Sequence, residues 1–401
     1  MRILLVGDTY LPERAAGAVR ASELAKRWAA QGHPVTIVTG NPHYPTGKIF
    51  DGYPNRLLAR DEVNGVPLLR VFTLPYTRGS VIKRIANQIL FAFMPALLDR
   101  AGPADVVVAS SPPLTIGVSG WLMARRRGVP FVFDVRDLYP EAARAYGVLG
   151  SGVVYDLFKA LERFIYKRAS RVVVASRFWS EMMQRDGLAP DKIEVIRNGA
   201  NTDYFRPEPP DEDVRTRYGI PDNRFLFGYV GLMGRAHGAT VIIDAATRLK
   251  SVEQIHFLIV GEGSDREAME RGARAAGLEN VTFAPSVPAA EVPRLLNACD
   301  GGVATLRAVE FTKGAIPVKL FEMMACGLPV VLAGWGESEE ILQASGGGYS
   351  VPCEDGARLA EALERLAADR EKASAMGAKG RAFIVADYDR RKQADRFLEI
   401  L

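Results

Sequence analysis

The residues best suited to chemistry lie in the stretch Pro317-Val-Lys-Leu-Phe-Glu-Met-Met-Ala-Cys-Gly-Leu-Pro-Val-Val. Lys319 and Glu322 are three residues apart on the first turns of a predicted helix, so they share one face of it. A lysine in this place can neutralise a phosphate, and a carboxylate can accept hydrogen bonds from ribose hydroxyls. The same spacing also fits a surface ion pair, which is the alternative interpretation.

Two glycine-rich loops give a second indication of phosphate binding. The loop Gly231-Leu-Met-Gly-Arg-Ala-His-Gly combines Gly231 and Gly234 with Arg235 between a predicted strand and a predicted helix. Arginine presents a fork of donors that matches phosphate oxygens, and glycine lets a phosphate approach the backbone. A second loop, with Gly261 and Gly263, follows the next strand at the same predicted sheet edge. A nucleotide could lie across both strand ends.

A weaker signal follows the first predicted strand, where a short loop leads into a helix that begins near Gly17. Small residues and a helix amino terminus together favour an anion there. The full Gly-x-Gly-x-x-Gly pattern is missing, so a simple strand-to-helix turn is an equal alternative. His43 and His237 have no Cys or His partner close in sequence, which favours a loop or surface role over metal binding.

These residues belong to two successive runs of alternating strand and helix patterns. Short β-branched segments such as Arg2–Val6 and Val106–Ser110 alternate with longer amphipathic stretches, and the alternation starts afresh at Phe225–Val230. This rhythm predicts parallel sheets built from βαβ units. The predicted fold class is therefore α/β, with two Rossmann-like halves.

A turn-rich, proline-rich segment after Asn198 separates the two halves and is interpreted as a hinge. We predict domains over 1–205 and 211–385, followed by a helix over 386–401 with no strand after it. The length of 401 residues suits two domains of ordinary size.

The composition is that of an ordinary α/β enzyme, with 48% apolar and 24% charged residues. The longest apolar run, Ile89–Leu98, is too short to span a bilayer, and the amino terminus lacks a signal-peptide pattern. We therefore expect a cytoplasmic location. The three scattered cysteines predict neither a disulfide framework nor a metal site.

The positive charge is concentrated in the first half of the chain. Residues 1–207 contain 28 Lys and Arg against 18 Asp and Glu, whereas the whole chain has a net charge of only +4. A basic first half favours an anionic partner, such as phosphates or an acidic membrane surface. Charge alone also leaves nucleic acid open.

The segment 80–100 has an amphipathic pattern of its own. Apolar residues recur at helical spacing, namely Ile82, Ile85, Ile89, Phe93 and Leu97, with Lys83, Arg84, Asn87 and Gln88 on the other side. Such a helix can lie in a bilayer interface, with its cations near lipid phosphates. It can equally pack on the core of the first domain. The basic first half favours membrane contact and a polyprenyl-diphosphate-linked acceptor.

Over nearly its whole length the chain resembles the retaining glycosyltransferase family four. The resemblance rests on Val195-Ile-Arg-Asn-Gly-Ala-Asn-Thr-Asp-Tyr-Phe-Arg-Pro, Val260-Gly-Glu-Gly, Lys319-Leu-Phe-Glu-Met-Met-Ala-Cys-Gly-Leu-Pro-Val-Val and Gly348-Tyr-Ser-Val-Pro-Cys-Glu-Asp-Gly-Ala-Arg-Leu-Ala. It implies the GT-B fold, in which two Rossmann-like domains face each other across a cleft and a last helix crosses back to the first domain. It also implies transfer of a sugar from a UDP-sugar with retention and without a required cofactor or metal.

Three places depart from the family pattern. The first glutamate of the family's Glu-x7-Glu pair falls on Gly314, and the usual Arg and Lys of the glycine loop fall on Leu232 and His237. The family's His-Asp pair corresponds to Arg136-Asp137. These features resemble the branch that contains N-acetyl-fucosamine-type transferases of surface-polysaccharide assembly. An N-acetylated aminosugar is therefore a candidate donor sugar, and a lipid-linked or saccharide acceptor is expected.

The catalytic candidates are Asp137, Arg235 and Lys319. The two cations would stabilise the charge on the departing diphosphate, and Asp137 would orient the acceptor or act as a base. The candidate nucleotide-binding residues are Gly17, Gly231, Gly234, Arg235, Gly261, Gly263, Val287, Gly314, Ala315, Ile316, Lys319 and Glu322. Asp134 and Asp137 could instead cap the chain before Pro140.

Two further functions remain open from the sequence. A non-hydrolysing UDP-sugar epimerase shares the architecture, although only four histidines are present. A catalytically inactive nucleotide-sugar-binding protein would explain Gly314 and the missing histidine. We expect a nucleotide sugar and its acceptor as partners, no nucleic acid, and a location in the cytoplasm or at the inner face of the cytoplasmic membrane.

Overall fold

The computed structural model describes residues 1–13, 15–44, 46–77, 80–210 and 212–401. It divides the chain into two compact units, Met1–Arg197 together with Arg391–Leu401, and Asn198–Arg390. Each unit is built around a largely parallel sheet, so the α/β class and the two Rossmann-like halves are confirmed.

The boundary between the units differs from the predicted ends at 205 and 211. Residues from Asn198 onward belong to the second unit because Ala200 pairs with the end of that unit. The Ala200 amide donates to the Tyr388 carbonyl at 3.1 Å, and the Arg390 amide donates to the Ala200 carbonyl at 3.0 Å. Residue 211 itself lies outside the described residues.

The sheet of the first unit has eight strands. They are β1 (Ile3–Gly7), β2 (Val35–Gly40), β3 (Leu58–Val63), β4 (Val66–Val71), β5 (Val106–Ser110), β6 (Phe131–Val135), β7 (Arg171–Val174) and β8 (Ile193–Val195), in the order β3-β4-β2-β1-β5-β6-β7-β8. All neighbours are parallel except β3 and β4, which form an antiparallel hairpin at the edge. Asn64 and Gly65 have φ values of 55° and 76° in its two-residue turn. The predicted βαβ pattern lacks this hairpin.

Helices cover both faces of this sheet. They are α1 (Ala16–Ala30), α2 (Val81–Leu97), α3 (Ile116–Arg127), α4 (Glu141–Ala145), α5 (Val153–Arg168) and α6 (Arg177–Arg185). The connection through α1 steps from β1 to β2, whereas α2, α3 and α5 lead to β5, β6 and β7 in the opposite direction along the sheet. Because such crossovers are right-handed, α1 lies on one face and α2, α3 and α5 lie on the other.

The α2 helix presents its predicted apolar stripe to solvent. Ile82, Ile85, Ile89, Phe93 and Leu97 are all exposed. The opposite side is buried and includes Asn87, whose Oδ1 accepts a hydrogen bond from the Leu74 amide at 2.9 Å. The core-packing interpretation is therefore wrong for the stripe, although the other side of the helix does pack. Among the described residues no helix is both long and apolar enough to cross a bilayer.

The sheet of the second unit has six parallel strands. They are β9 (Phe225–Val230), β10 (Ile255–Val260), β11 (Val281–Ala284), β12 (Gly301–Thr305), β13 (Val330–Ala333) and β14 (Gly348–Val351), in the order β11-β10-β9-β12-β13-β14. The helices are α7 (Glu212–Arg217), α8 (Val241–Arg248), α9 (Arg266–Ala275), α10 (Val292–Asn297), α11 (Val318–Ala325), α12 (Glu337–Ser345), α13 (Gly356–Ala367) and α14 (Arg370–Asp387). Strand order reverses between β9 and β12, and ligands of such sheets bind at this reversal, beyond the carboxyl ends of the strands.

The last helix, α15 (Arg390–Glu399), packs on α1 of the first unit. The Trp28 indole donates to the Ala394 carbonyl at 2.9 Å, and the Arg27 guanidinium binds Asp395 through two bonds of 2.7 Å. The helix starts at residue 390 and not at the predicted 386, because α14 continues to Asp387 and the next two residues pair with Ala200.

Candidate functional site

Two glycine loops meet at the carboxyl ends of β9 and β10. The Gly231 amide donates to the Val260 carbonyl, and the Met233 amide donates to the Glu262 carbonyl, both at 2.9 Å. A Cβ atom on Gly261 would lie 2.0 Å from the Gly231 carbonyl oxygen, and its φ of 138° also favours glycine. The two predicted loops thus lie side by side at the sheet edge where sheets of this kind generally bind their ligands.

Lys319 lies against this pair of loops. A Cβ atom on Gly231 would be 3.4 Å from both Cε and Nζ of Lys319, and Nζ lies 3.4 Å from the centre of the Tyr229 ring. Lys319 is only 8% exposed, so the surface ion-pair interpretation is wrong for it. Its Nζ has no hydrogen-bond partner within the described part of the chain. Burial lowers the pKa of Lys319 to about 7, against the raising effect of Glu322.

The amino end of α11 adds to this positive site. Its first turn contains Lys319 and no acidic residue, and Pro317 provides no side-chain cap. Uncapped amides at a helix start carry a partial positive charge that attracts anions. Just before it, Gly314 is buried, and the Ala315 amide donates to the Thr312 carbonyl at 3.0 Å. The amide of Ala315, one of the candidate nucleotide-binding residues, is thus already engaged in a hydrogen bond.

Glu322 lies one turn after Lys319 and is half-buried. Its Oε1 is 3.6 Å from Nη2 of Arg390, whose Nε donates to the Gly199 carbonyl at 2.8 Å. The carboxylate therefore already takes part in a contact that joins α11 to the end of the second unit. A role toward ribose stays a prediction.

The loop after β9 brings His237, and not a lysine, toward Lys319. Burial and then the charge of Lys319 lower the pKa of His237 to about 4, so its ring is neutral at pH 7. Its Nδ1 is buried and has no hydrogen-bond partner among residues the structure describes. Arg235 is exposed in the same loop. His237 is therefore a half-buried loop residue, which fits the expected loop role and not a surface role.

Gly17 and Gly234 are glycines that packing does not require. A Cβ on Gly17 would meet only Thr9 Oγ1, at 3.9 Å, and one on Gly234 would meet Leu232 at 3.5 Å, both ordinary contacts. Gly17 is exposed in the first turn of α1. Val287 follows β11 at the edge that carries the glycine loops and is half-buried.

Asp137 lies in the first unit, just after β6. It is exposed, yet enough protein surrounds the carboxyl to raise its pKa, against the lowering effect of Arg136. Asp134 is buried inside β6 and accepts a hydrogen bond from the Ser110 hydroxyl at 2.7 Å. The helix after Pro140 has no side-chain cap, so neither aspartate caps that helix; a role of Asp137 in the turn before Pro140 stays a prediction.

A polar cluster in the first unit has no counterpart among the predicted residues. It consists of Asp8 and Glu13 in the loop after β1, His43 after β2 and Tyr76 after β4. The Tyr76 hydroxyl bonds to Asp8, the His43 and Tyr76 rings are 4.8 Å apart, and His43 Nδ1 is 3.7 Å from Glu13 Oε1. Burial and then Glu13 raise the pKa of Asp8 to about 7. His43, expected in a loop or at the surface, is a buried loop residue.

One group of three carboxylates has the spacing of a metal site within the described chain, namely Glu141, Glu162 and Asp186. Lys159 occupies it with its ammonium group. Nζ lies 2.6 Å from Glu162 and 2.5 Å from Asp186, and it also bonds to Glu141. The cluster is therefore an ion-pair network of the first unit, buried at Lys159, Glu141 and Glu162 and exposed at Asp186.

Comparison with known proteins decides the family. Residues 16–199 match the glycosyl transferase 4-like domain, and residues 210–383 match the glycosyl transferases group 1 domain. The chain is a glycosyltransferase of the family-four type. The putative colanic acid biosynthesis glycosyl transferase WcaI of Escherichia coli strain K12 is 27% identical over 336 residues, 82% of each chain. The probable glycosyltransferase WbjE of Pseudomonas aeruginosa is 26% identical over 325 residues, 80% of each chain.

Solved structures show the same fold for this glycosyltransferase. Sucrose-phosphate synthase from Thermosynechococcus elongatus superposes with a TM-score of 0.78 at 19% identity, covering 100% of this chain and 98% of the other. HepE of Anabaena, solved in complex with UDP and glucose, superposes with a TM-score of 0.73 at 18% identity, covering 100% and 99%. The GT-B fold predicted from the sequence resemblance is confirmed. The narrower branch of N-acetyl-fucosamine-type transferases stays a prediction.

Proposed function

We propose that this glycosyltransferase moves a sugar from a UDP-sugar to a saccharide or lipid-diphosphate-linked acceptor in cell-surface polysaccharide assembly, with retention at the anomeric carbon. An N-acetylated aminosugar is our first candidate for the transferred group. The first unit takes the acceptor, and the second unit takes the nucleotide sugar.

The observation that carries the proposal is the buried ammonium of Lys319. It lies beside Gly231, on a residue of the uncapped first turn of α11, and it has no hydrogen-bond partner within the described residues. A buried charge without a partner is costly, and a diphosphate placed there would supply both the opposite charge and the missing acceptors. UDP is supported by the complexes of HepE, and polysaccharide assembly by the name of WcaI.

The chemistry follows from the leaving group. The bond between the anomeric carbon and the phosphate oxygen breaks, and its electron pair stays on the diphosphate of UDP. Lys319 and the amides at the start of α11 stabilise this negative charge, which grows as the bond opens. The acceptor oxygen bonds to the anomeric carbon on the same face, and its proton passes to the departing phosphate. Asp137, with its raised pKa, orients the acceptor hydroxyl.

A membrane contact of α2 fits a lipid-linked acceptor. The exposed stripe runs the length of a 17-residue helix, about 25 Å. Lys83 is exposed at its amino end, where it can meet a lipid phosphate. We propose that α2 places the first unit at the membrane surface from which the acceptor is taken.

A donor screen tests the proposed function. Radiolabelled UDP-sugars are incubated with the protein and with a water-soluble short-chain prenyl diphosphate N-acetylglucosamine or free saccharides. Transfer of label to an acceptor supports the proposal, whereas interconversion of the UDP-sugars without transfer would identify an epimerase. Glu322→Ala should weaken donor use far more than folding, and unchanged donor kinetics would remove the ribose assignment.

We further propose that no metal is required, because Lys319 and the α11 amides supply positive charge to the diphosphate. Transfer should then be equal in EDTA and in added Mg²⁺ or Mn²⁺. Loss of transfer in EDTA with recovery on one cation would reject this part alone.

A further inference from the structure

Exposed apolar side chains concentrate on one face of the first unit. Nine of the fifteen large hydrophobic residues exposed in the described part of the chain lie on α2, on α5 or in the turn before α5. They are Ile82, Ile85, Ile89, Phe93 and Leu97 on α2, Val153, Val154 and Leu157 on α5, and Val148 in the turn. Soluble surfaces seldom gather their apolar side chains in this way, so we expect this face to be covered by a partner.

The α5 residues are as open as those of α2. Val153 and Leu157 are 83% and 68% exposed, which matches 84% for Ile82 and 69% for Leu97. Neighbouring elements therefore cover neither the α5 residues nor the α2 stripe. A partner that covers α2 alone would leave four of these nine apolar side chains in water.

The two helices belong to one continuous layer, with α3 between them. The Ser119 hydroxyl of α3 donates to the Ala92 carbonyl of α2 at 2.9 Å. On the other side, the Trp121 ring of α3 contacts the Phe164 ring of α5 edge-on, with centres 5.1 Å apart. The crossover rule places all three helices on the same face of the sheet. Their outer surface, here called the α2–α3–α5 face, is thus one surface.

Cations dominate the charge of these helices. There are two on α2, three in the last turn of α3 and four on α5, against two carboxylates, both on α5. Lys159 and Glu162 are both buried and bind each other, and Arg127 binds Asp99, so seven cations and one carboxylate, Asp156, remain for a partner. The Arg125 and Arg168 guanidinium groups lie 5.9 Å and 5.1 Å from the centre of the Trp121 ring. Cations on apolar and aromatic stems suit the level of lipid headgroups.

We propose that the whole α2–α3–α5 face docks on an anionic lipid bilayer, with the α2 stripe and the first turns of α5 in the acyl boundary. The cations at the carboxyl ends of α3 and α5 then bind lipid phosphates. This inference rests on the proposed membrane contact of α2 and widens it to a second helix and to a charge preference. A bilayer fits better than a protein, because it pairs an extended apolar layer with an even anionic charge.

Vesicle co-sedimentation of the full chain, without sugar or nucleotide, tests the proposal. The vesicles contain phosphatidylcholine alone or mixed with phosphatidylglycerol. The α5 variant is Val153→Ser/Leu157→Ser, and the control is Leu57→Ser/Val195→Ser, which removes exposed apolar groups of the same unit outside the face. The α5 variant should lose about tenfold in partition to the mixed vesicles, and the control should bind like the parent.

A charge variant tests the lipid preference. Arg126→Gln/Lys167→Gln removes two exposed cations of the face, and Arg60→Gln/Lys26→Gln removes two exposed cations elsewhere on the first unit. The first pair should lower the partition to phosphatidylglycerol vesicles about fivefold per cation, and added salt should abolish the difference. The second pair should have little effect.

Three results would overturn the inference. If the α5 variant binds vesicles like the parent while Ile85→Ser/Ile89→Ser does not, the contact is confined to α2. If neither variant changes binding, the face is not a membrane surface. If the α5 variant turns a dimer into a monomer in sedimentation velocity, the face joins two copies of the chain. Transfer to the water-soluble acceptor is measured separately, so failure of the proposed sugar transfer would not be confused with any of these.

Discussion

Replacing Lys319 by methionine should stabilise the empty protein while it removes nucleotide binding. In the unfolded chain this lysine titrates near 10.5, whereas in the folded protein burial lowers its pKa to about 7. The difference, at about 1.4 kcal/mol per pH unit, makes the folded charge cost on the order of 5 kcal/mol below pH 7. A cation–π contact with the Tyr229 ring, whose centre is 3.4 Å from Nζ, offsets part of this cost. We expect Lys319→Met to raise the free energy of unfolding by about 2 kcal/mol at pH 6.

The pH dependence gives this prediction a definite sign. Because the unfolded lysine is protonated up to about 10.5 and the folded one only up to about 7, the destabilisation is complete below pH 7. It declines as the pH rises from 7 toward 10.5. Urea unfolding of parent and variant at pH 6 and pH 9 should therefore show a larger difference at pH 6.

Although Lys319→Met should gain stability, it should lose UDP binding, which is measured in the same samples. UDP should raise the unfolding midpoint of the parent and leave that of Lys319→Met nearly unchanged, because the variant lacks the charge that the diphosphate meets. Lys372→Met, at an exposed position of the same unit, is the matched control and should change neither quantity. A variant that is less stable than the parent at pH 6, or one that UDP stabilises as before, would refute the reasoning.

Three further substitutions test other parts of the structure. Gly231→Ala places a Cβ 3.4 Å from Lys319 Nζ at a φ of 132°, so it should weaken UDP binding in calorimetry and cost about 1 to 2 kcal/mol of stability, whereas Gly234→Ala should do neither. Asp8→Asn should stabilise the protein at pH 8 and not at pH 4, because the raised pKa of about 7 makes ionised Asp8 unfavourable above that pH; equal effects in thermal unfolding at both pH values would contradict this. Lys159→Met should cost about 3 to 5 kcal/mol in urea unfolding, because it leaves three clustered carboxylates without their cation; a neutral result would show that the ion-pair network is not maintained in solution.

The fold was readable from the sequence wherever a local pattern decides it. Alternation of short β-branched runs with amphipathic stretches specifies βαβ units, and the six parallel strands of the second unit follow it. The β3–β4 hairpin breaks that rhythm, yet its Asn64-Gly65 turn is a recognised hairpin signal and could have been used. The start of α15 at Arg390 could not be predicted from a local pattern. It is set by the pairing of the preceding residues with Ala200, which is distant in sequence.

In the candidate site, too, some residues could be predicted from local motifs and others could not. The glycine loops and Lys319 have short motifs with a physical reason for each residue, and the structure brings Gly231, Gly261 and Lys319 together. The cluster around Asp8 has no motif, since its four residues come from three loops that only the folded sheet brings together. Residue type likewise favoured Arg235 over His237 as a functional residue. In the structure, however, it is the buried His237 whose pKa the charge of Lys319 lowers.

The α2 helix shows what periodicity alone leaves undecided. A hydrophobic stripe at helical spacing tells which residues share a face, but a covering neighbour decides whether that face is a core or a docking surface. Here the buried side of the helix carries Asn87, and its amide side chain is accommodated because it binds the Leu74 backbone. The purely apolar side is thereby left outward. A chain that buries an asparagine while exposing Ile82 and Leu97 forgoes apolar burial inside the molecule, which is consistent with recovering it at the bilayer proposed to cover this face.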